Sequence, residues 1–151
     1  MSSPRSVRFD DGVLRRLERY VRSHPGASAS SVTNLFVDEA LRAEEHPGIV
    51  FRPGPTGRRA GLVGGPDVWE VIDTLHTVRA TEPELADDAL AQATAEAMGL
   101  SVRKVRVAVR YYAAYRTEVD ERIAAHREVV ADAEAAWRAE QDLLHGGDRA
   151  S

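Results

Sequence analysis

The sequence predicts a mainly helical protein of 151 residues. Three observations predict this fold class. Apolar residues recur at spacings of three and four over most of the chain, which is the period of an amphipathic helix. Short apolar runs bounded by proline or glycine mark only one early strand and one hairpin. No glycine or proline occurs from residue 102 to residue 145, so a long C-terminal helix can form. We expect three domains: residues 1–45, 46–116 and 117–151.

Composition restricts the class of protein. Hydrophobic residues make up 43% and charged residues 29%, which is typical of a soluble globular protein. No apolar run is long enough to span a bilayer, and the N-terminus lacks a signal-peptide core, so we expect no membrane contact. The chain has no cysteine, which favours a cytoplasmic location and excludes disulfide and thiolate chemistry.

The net charge of −4 is divided into blocks of opposite sign. Residues 1–60 carry ten arginines against seven acids, and residues 101–116 carry five basic residues and no acid. Residues 61–100 carry one arginine against eight acids, and residues 117–151 carry four basic residues against nine acids. Such blocks favour a protein that meets phosphates in one place and a second partner elsewhere, with solvated surfaces of alternating sign as the alternative.

Residues 6–9, Ser-Val-Arg-Phe, predict a short strand. Val7 and Phe9 would lie on one face and Ser6 and Arg8 on the other. No second strand lies nearby in the sequence to satisfy the backbone, so we expect the strand to pair with the same strand of a second copy.

Two amphipathic helices follow the strand. The first begins near Asp10 and Asp11, which suit a helix N-terminus, and ends at the sequence His-Pro-Gly at 24–26. Its apolar stripe is Val13, Leu14, Leu17, Tyr20 and Val21. The second helix is capped by one of Ser28, Ser30 and Ser31. Its predicted buried side contains Val32, Leu35, Phe36, Val37, Ala40 and Leu41.

This region resembles the ribbon-helix-helix (CopG/Arc/MetJ-like) family. The motifs that carry the resemblance are Ser-Val-Arg-Phe at 6–9, Val-Leu-Arg-Arg-Leu at 13–17 and Gly-Ala-Ser-Ala-Ser-Ser at 26–31. The resemblance implies an intertwined homodimer, or a higher assembly of such dimers, whose paired strands enter the DNA major groove. The expected dimer core is Val7, Phe9, Leu14, Leu17, Val32, Leu35 and Phe36.

The same resemblance implies the DNA contacts. Pro4, Ser6 and Arg8 would face base edges, and backbone amides near Ser28 and Ser30 would hold a phosphate. Two positions depart from the family, because Asp10 stands where proline is frequent and Pro4 where a hydrogen-bonding side chain is usual. Only Ser6 and Arg8 then remain as polar readers. The alternative is a small two-helix cap with no DNA role.

The second domain is predicted to begin with a hairpin. An apolar run at 49–51, a turn at 53–57 and a second run ending at Val63 give this pattern. Arg58 and Arg59 near the turn form either a basic wing or a solvated pair. The nearby glycines do not make a P-loop, because the Lys-Ser/Thr ending is absent. Pro66 is expected in the first turn of the next helix, whose apolar face is Val68, Trp69, Val71, Ile72 and Leu75.

A pair of helices like a helix-turn-helix is predicted next. Thr81 and Glu84 have the spacing of a capping box that begins a helix ending at Met98, and Ser101 caps the helix after it. Ala95, Gly99 and Val105 have the spacing of a helix crossing, a turn glycine and a locking residue. The second helix is either a further DNA contact or a solvated basic face. Its basic residues are Arg103, Lys104, Arg106 and Arg110.

The region after residue 102 predicts a heptad seam with polar breaks at Arg116, His126 and Glu140. One continuous helix here would be roughly 64 Å long at 1.5 Å per residue. The alternative is a bend, with a new helix capped at Thr117 and Asp120. Either helix needs a second molecule to cover its seam.

Residues 46–123 are similar to an uncharacterised domain family found in prokaryotic antitoxins, whose partner is a PIN-like ribonuclease toxin. The motifs are His-Pro-Gly-Ile at 46–49, Gly-Gly-Pro-Asp-Val-Trp at 64–69, and Tyr-Tyr-Ala at 111–113 leading to Glu-Val-Asp at 118–120. The resemblance implies a type II antitoxin that binds operator DNA, represses its own operon and neutralises the toxin. We expect the toxin contacts at Val119, Ile123, Val130, Trp137 and Leu144.

Nothing in the sequence predicts an enzyme. The five histidines are scattered without metal-ligand spacing, and no serine lies in a nucleophile motif, so we expect no metal, no cofactor and no catalytic residue. Two alternatives to an antitoxin stay open. One is a stand-alone transcription regulator whose second half is an oligomerisation or effector domain. The other is a structural assembly protein whose seam forms a coiled coil without a DNA role.

Overall fold

The structure, a computed structural model, describes residues 3–145. These residues are mainly helical and include one small antiparallel sheet. The elements in chain order are α1 (Asp11–Ser23), α2 (Ala29–Glu45), β1 (Ile49–Arg52), β2 (Arg59–Leu62), α3 (Val68–Thr81), α4 (Asp87–Met98), α5 (Val102–Ala114) and α6 (Arg116–His145). The chain divides into two compact units, residues 1–45 and 46–151. Residues 46–116 and 117–151, predicted as separate domains, therefore lie in one unit.

The first unit is a pair of helices, as predicted. α1 ends at Ser23, directly before the turn that contains Pro25, and α2 begins after Ser28. Residues 3–10 form neither a helix nor a strand within the chain. In residues 3–45 only Val32 and Glu39 are buried. The first unit therefore has almost no core of its own.

The second unit is built on the predicted hairpin. β1 and β2 pair antiparallel, with Ile49 opposite Leu62 and Arg52 opposite Arg59. The helices α3 and α5 pack against the hairpin, and α4 and the first turns of α6 pack against these two helices. Tyr111 is the largest fully buried side chain. The core cluster is Ile49, Ala60, Leu62, Val68, Val71, Ile72, Ala91, Ala95, Val105, Ala108, Tyr111, Val119 and Ile123.

The start of α4 differs from the prediction. Thr81 is the last residue of α3, and its hydroxyl donates to the carbonyl of Thr77 instead of capping a new helix. Pro83 lies just beyond the helix end and disfavours helical backbone in the residue before it. α4 begins only at Asp87, where Asp87 and Asp88 occupy the positive end of the helix dipole. The predicted capping box of Thr81 and Glu84 is therefore wrong.

Pro66 is also one step off its predicted place. It precedes the N-cap residue Asp67, so it does not lie in the first turn of α3. The backbone amide of Asp67 donates to the Glu70 carboxylate at 2.8 Å. The residue after the proline therefore begins the helix.

The turn between α4 and α5 agrees with the prediction. Gly99 has φ of 64°, a left-handed conformation that glycine adopts without steric cost, and it ends α4. The Ser101 hydroxyl accepts a hydrogen bond from the amide of Lys104 and so caps α5. Ala95 and Val105 are both buried where these two helices pack.

The long C-terminal helix is interrupted. α5 ends at Ala114, its C-cap residue Tyr115 has a non-helical φ of −128° and ψ of 45°, and α6 starts at Arg116. The bend therefore lies two residues before the predicted cap at Thr117, and the straight helix of 64 Å is wrong. The 30 residues of α6 extend over about 45 Å.

Candidate functional site

The predicted DNA-reading residues lie at the exposed N-terminus. Pro4, Ser6, Val7 and Arg8 are exposed, while Phe9 is half-buried. The strand was predicted to form with a second copy, and one copy is described, so the paired ribbon stays a prediction. In the structure, two thirds of the surface of Val7 is exposed, so the chain itself leaves this apolar residue mostly uncovered.

An apolar groove of about 410 Å³ runs between α1 and α2 in the first unit. Its lining comes from the stripes that the sequence predicted, although Leu14 and Leu35 from the predicted dimer core lie outside it and are exposed. Phe9 from the N-terminal segment also lines the groove, and Tyr20 packs edge-to-face on Phe36 with ring centroids 5.1 Å apart. The lining residues are Phe9, Val13, Arg16, Leu17, Tyr20, Val32, Thr33, Phe36, Val37 and Ala40.

The N-terminus of α2 was predicted to hold a phosphate. The Ser28 hydroxyl accepts from the amide of Ser31 at 3.1 Å, and the Ser28 amide donates to the Ser31 hydroxyl at 3.0 Å. Ser28 is thus the cap of its own helix, and its amide already has a partner. Ser30 is exposed in the first turn. A phosphate contact here would therefore use the amides of the first turn and not that of Ser28.

The predicted basic wing on the hairpin does not exist in the structure. The guanidinium groups of Arg52 and Arg59 both bind the carboxylate of Asp67, whose side chain is only 8% exposed. Arg58 is half-buried, and it donates to the carbonyl of Phe51. Neither Arg58 nor Arg59 is free to serve as a surface wing, and neither is simply solvated.

Asp67 is a residue that the sequence interpretation missed. It is the N-cap residue of α3, and it also joins the two strands at the turn end of the hairpin by pairing with one arginine from each strand. The guanidinium of Arg52 lies where a side chain at Gly61 would be, which explains a glycine in the middle of β2. The signal was present, because an aspartate directly before an apolar helix is a typical N-cap.

The four basic residues predicted on α5 make different contacts in the structure. The ammonium of Lys104 donates to the Gly64 carbonyl at 2.7 Å, and Arg106 is paired with Asp88. Arg103 and Arg110 are exposed. The basic patch is therefore divided into one tethered lysine and three surface arginines.

The bend between α5 and α6 is held by side chains from both helices. The Tyr112 hydroxyl donates to the Asp120 carboxylate at 2.8 Å, and the Arg116 guanidinium lies 5.3 Å from the centroid of the Tyr112 ring. Burial raises the pKa of Tyr112, and the hydrogen bond and negative charge of Asp120 raise it further, while Arg116 lowers it. Tyr112 therefore stays protonated at pH 7 and acts as a donor across the bend.

The predicted toxin contacts divide into two groups. Val119 and Ile123 are 3% and 5% exposed and belong to the core, so in this fold they present almost no surface to a partner. Val130, Trp137 and Leu144 are 42%, 61% and 68% exposed. In residues 124–145, which we call the arm, every residue is exposed except Gln141. Of the predicted heptad seam, only the part in the arm is exposed to a partner.

The base of the arm is attached to α3. The ring of His126 lies 4.7 Å from that of Trp69, and Arg127 is paired with Asp73. The polar break at His126 therefore packs against an aromatic neighbour. Farther along the arm, Arg138 pairs with Glu134 of the arm itself.

Residues 3–145 contain neither a metal-binding cluster nor a helix that could span a membrane. No cluster of three or more histidine or acidic side chains is arranged to hold a metal ion in this part of the chain. No helix within the described range is long and apolar enough to cross a membrane.

Comparisons of the chain with protein-family models, with curated proteins and with solved structures found no match. The two resemblances given above therefore depend on the quoted motifs alone, and the function derived from them is a proposal.

Proposed function

We propose that the protein is the antitoxin of a type II toxin–antitoxin system. It binds operator DNA as a homodimer through its first unit and represses its own operon. It neutralises a PIN-like ribonuclease toxin through the arm of its second unit.

The observation that carries this proposal is a pair of uncovered apolar surfaces in two different units. The groove between α1 and α2 is lined by apolar side chains of the first unit, and the arm exposes Val130, Trp137 and Leu144. Large exposed apolar surfaces mark interaction sites. Two of them, far apart in the sequence, favour a protein that binds two different partners.

The occupant proposed for the groove is a second copy of the first unit. A unit of about 45 residues with two buried side chains cannot supply enough core to be stable alone, and oligomerisation is the usual remedy. Pairing the two segments at 6–9 would satisfy their backbone groups and cover Val7. It would also place two copies of Arg8 on one exposed face, where DNA can be reached.

Arg8 is the residue that tests DNA recognition. In a mobility-shift assay with operator DNA, Arg8→Ala is expected to cost roughly 1–3 kcal/mol if Arg8 binds a guanine. The matched control is Arg5→Ala, which removes the same charge from the opposite face of the strand and should weaken operator and random DNA equally. Wild-type affinity of Arg8→Ala for the operator would overturn the assignment of the strand.

The occupant proposed for the arm is a basic-rimmed apolar groove of the toxin. The seam of the arm presents Val130, Trp137 and Leu144, and its flanks are rich in acidic residues. Residues 124–145 contain five acids against two arginines, so charge complementarity favours a basic rim. An amphipathic helix laid in a groove is a common mode of peptide recognition.

The arm is tested by two matched substitutions. Ala133 lies on the seam between Val130 and Trp137, whereas Ala135 lies on the opposite side, and both are exposed. After co-expression with the product of the neighbouring gene, Ala133→Asp should lose the partner in a pull-down, and Ala135→Asp should keep it. A chain ending at Val130 retains Val119 and Ile123 in the core, so it should fold but fail to rescue growth. Rescue by that chain would contradict the proposal.

A stand-alone transcription regulator is the second candidate, and the same exposed seam favours it. In that case the arm pairs with the arm of another copy. Sedimentation of the purified chain separates the two candidates, because arm pairing would give a tetramer that Ala133→Asp reduces to a dimer, whereas an antitoxin without its toxin would stay a dimer.

A further inference from the structure

We propose that four arginines of the second unit, Arg79, Arg103, Arg106 and Arg110, bind the phosphate backbone of duplex DNA without reading its sequence. We call these four residues the arginine surface. The inference rests on the proposed function in one respect, which is that the chain binds DNA. It differs in placing a second DNA contact outside the N-terminal strand.

Three of the four arginines share one face of α5. Arg103, Arg106 and Arg110 are three and four residues apart and all are exposed. They extend over two helical turns, or about 10 Å along the axis. Arg79 comes from the last turn of α3, and it lines the same depression of about 390 Å³ as Arg106 and Arg110. The fold thus adds one arginine that sequence spacing within α5 does not predict.

Most of the positive charge of this surface is available to a ligand. Arg79, Arg103 and Arg110 have no acidic partner in the part of the chain that the structure describes. A guanidinium group suits a phosphate because its planar donors make short, charge-assisted hydrogen bonds to two oxygens at once.

The acidic groups at the surface are Asp87 and Asp88, both in the first turn of α4. Asp88 binds Arg106, but the two side chains are 89% and 51% exposed. An ion pair that is so exposed contributes about 0–1 kcal/mol, so a phosphate can take the place of Asp88 at small cost. Asp87 and Asp88 reduce the positive electrostatic potential of the surface, but they form no ion pair with its other three arginines.

The contact with DNA is expected at the backbone because the first turn of α5 is already engaged. A helix that reads the major groove presents its N-terminal side chains to base edges. Here Ser101 caps the helix through the amide of Lys104, and the Lys104 ammonium is tethered to the Gly64 carbonyl. The remaining exposed donors are arginines spread along the helix face. Contacts of this kind position a protein on DNA and carry no sequence information.

The test compares two double variants of the full chain that remove the same charge. Arg103→Ala with Arg110→Ala changes the arginine surface, and Arg127→Ala with Arg138→Ala is the control on α6. Fluorescence anisotropy would follow binding to the chain's own promoter duplex and to a shuffled duplex of equal length, at 50 to 200 mM salt. Matching melting curves would show that both variants remain folded.

The arginine surface predicts a specific pattern in these titrations. The first double variant should weaken binding to both duplexes by the same factor and reduce the magnitude of the slope of log K against log salt by about 4, because each homodimer loses four arginines. The control should keep the wild-type affinity and slope. Adding Arg79→Ala should reduce the magnitude of the slope by about two more, one for each protomer.

Other outcomes overturn the inference, and they separate it from the proposed function. If the Arg103/Arg110 variant binds DNA like the wild type while Arg8→Ala loses the operator, the arginine surface is wrong and the proposed function stands. If that variant changes only the sedimentation mass, the surface contacts protein instead of DNA. If the Arg103/Arg110 variant weakens DNA binding and Arg8→Ala does not, the role of the strand is wrong and the arginine surface stands. If the wild type binds neither duplex, both are wrong.

Discussion

The two units of this chain differ in where their apolar side chains go. The second unit encloses Tyr111 and a dozen other side chains in a core shared by a hairpin and four helices. The first unit has two well-formed amphipathic helices, yet its apolar residues line an open groove. The second unit buries its apolar side chains within a single copy, whereas most of those in the first unit remain open to solvent.

Amphipathic periodicity therefore predicts the helices, but it does not predict which neighbour covers their apolar faces. In α5 the apolar stripe is covered by α3 and α4 of the same chain, whereas in α1 no residue is buried. Stability of the first unit should therefore depend on protein concentration, and stability of the second should not. Four measurements test that contrast.

The largest effect is expected from Tyr111→Ala. Tyr111 is fully buried and its ring lies near those of His46, Phe51 and Tyr115, so truncation leaves a large cavity. The free energy of unfolding of the second unit should fall by about 3–5 kcal/mol in a urea titration. Leu143→Ala, in the exposed arm, is the control and should change it by less than about 0.5 kcal/mol. A small effect of Tyr111→Ala would mean that the second unit lacks a tightly packed core.

A smaller loss is expected from Asp67→Asn. The change removes the buried charge that joins Arg52 to Arg59, but both guanidinium groups remain partly exposed to water. We expect the second unit to lose about 2–3 kcal/mol, again measured by urea unfolding. The control Asp88→Asn breaks only the exposed pair with Arg106, and it should cost less than about 1 kcal/mol. Equal effects of the two changes would show that Asp67 does not hold the hairpin.

Dilution is expected to affect only the first unit. If a second copy closes the groove, each tenfold dilution should lower the unfolding free energy of the dimer by about 1.4 kcal/mol. Circular dichroism during denaturation at two concentrations would show one transition that moves and one that does not. Phe36→Asp, which places a charge in the groove, should abolish the concentration dependence. Two fixed transitions would contradict the homodimer.

The smallest effect is expected from Tyr112→Phe. Loss of the hydrogen bond to Asp120 at the half-exposed bend should cost under about 1 kcal/mol at pH 7. Because the pKa of Tyr112 is raised in the folded chain, its contribution is fully present below the unfolded value near 10 and is lost as the pH rises through the folded pKa. Wild-type stability should therefore fall more steeply than that of Tyr112→Phe above pH 10. Parallel curves would show that Tyr112 is not linked to the bend.

Much of the fold could be predicted from the sequence because its local signals agree with its packing. The proline after α1, the turn at 53–57 and Gly99 all mark boundaries that the structure has. The failure at Thr81 has a local cause, since the capping pattern was outweighed by Pro83 and by the two aspartates that follow it. A four-residue capping pattern therefore predicts a helix start less reliably than the residues around it do.

The candidate sites were less predictable because they depend on tertiary contacts. Val119 and Ile123 fit the same seam as Val130, and nothing in the heptad spacing shows that the first two are covered by α3 and the third is not. Likewise, the place of Arg79 beside Arg110 depends on the packing of α3 against α5. Periodicity gives the face of a helix, whereas the neighbours decide how much of that face stays open.

The contact between Trp69 and His126 has a practical consequence. The chain has two tryptophans, and one packs on a histidine at the base of the arm while the other, Trp137, lies on the open seam. Their emission should therefore report two separate events. In a Trp69→Phe chain, a blue shift of the remaining fluorescence would follow capture of the arm by a partner. In a Trp137→Phe chain, the emission of Trp69 would follow the integrity of its contact with His126 at the base of the arm, so the protein carries its own pair of optical probes.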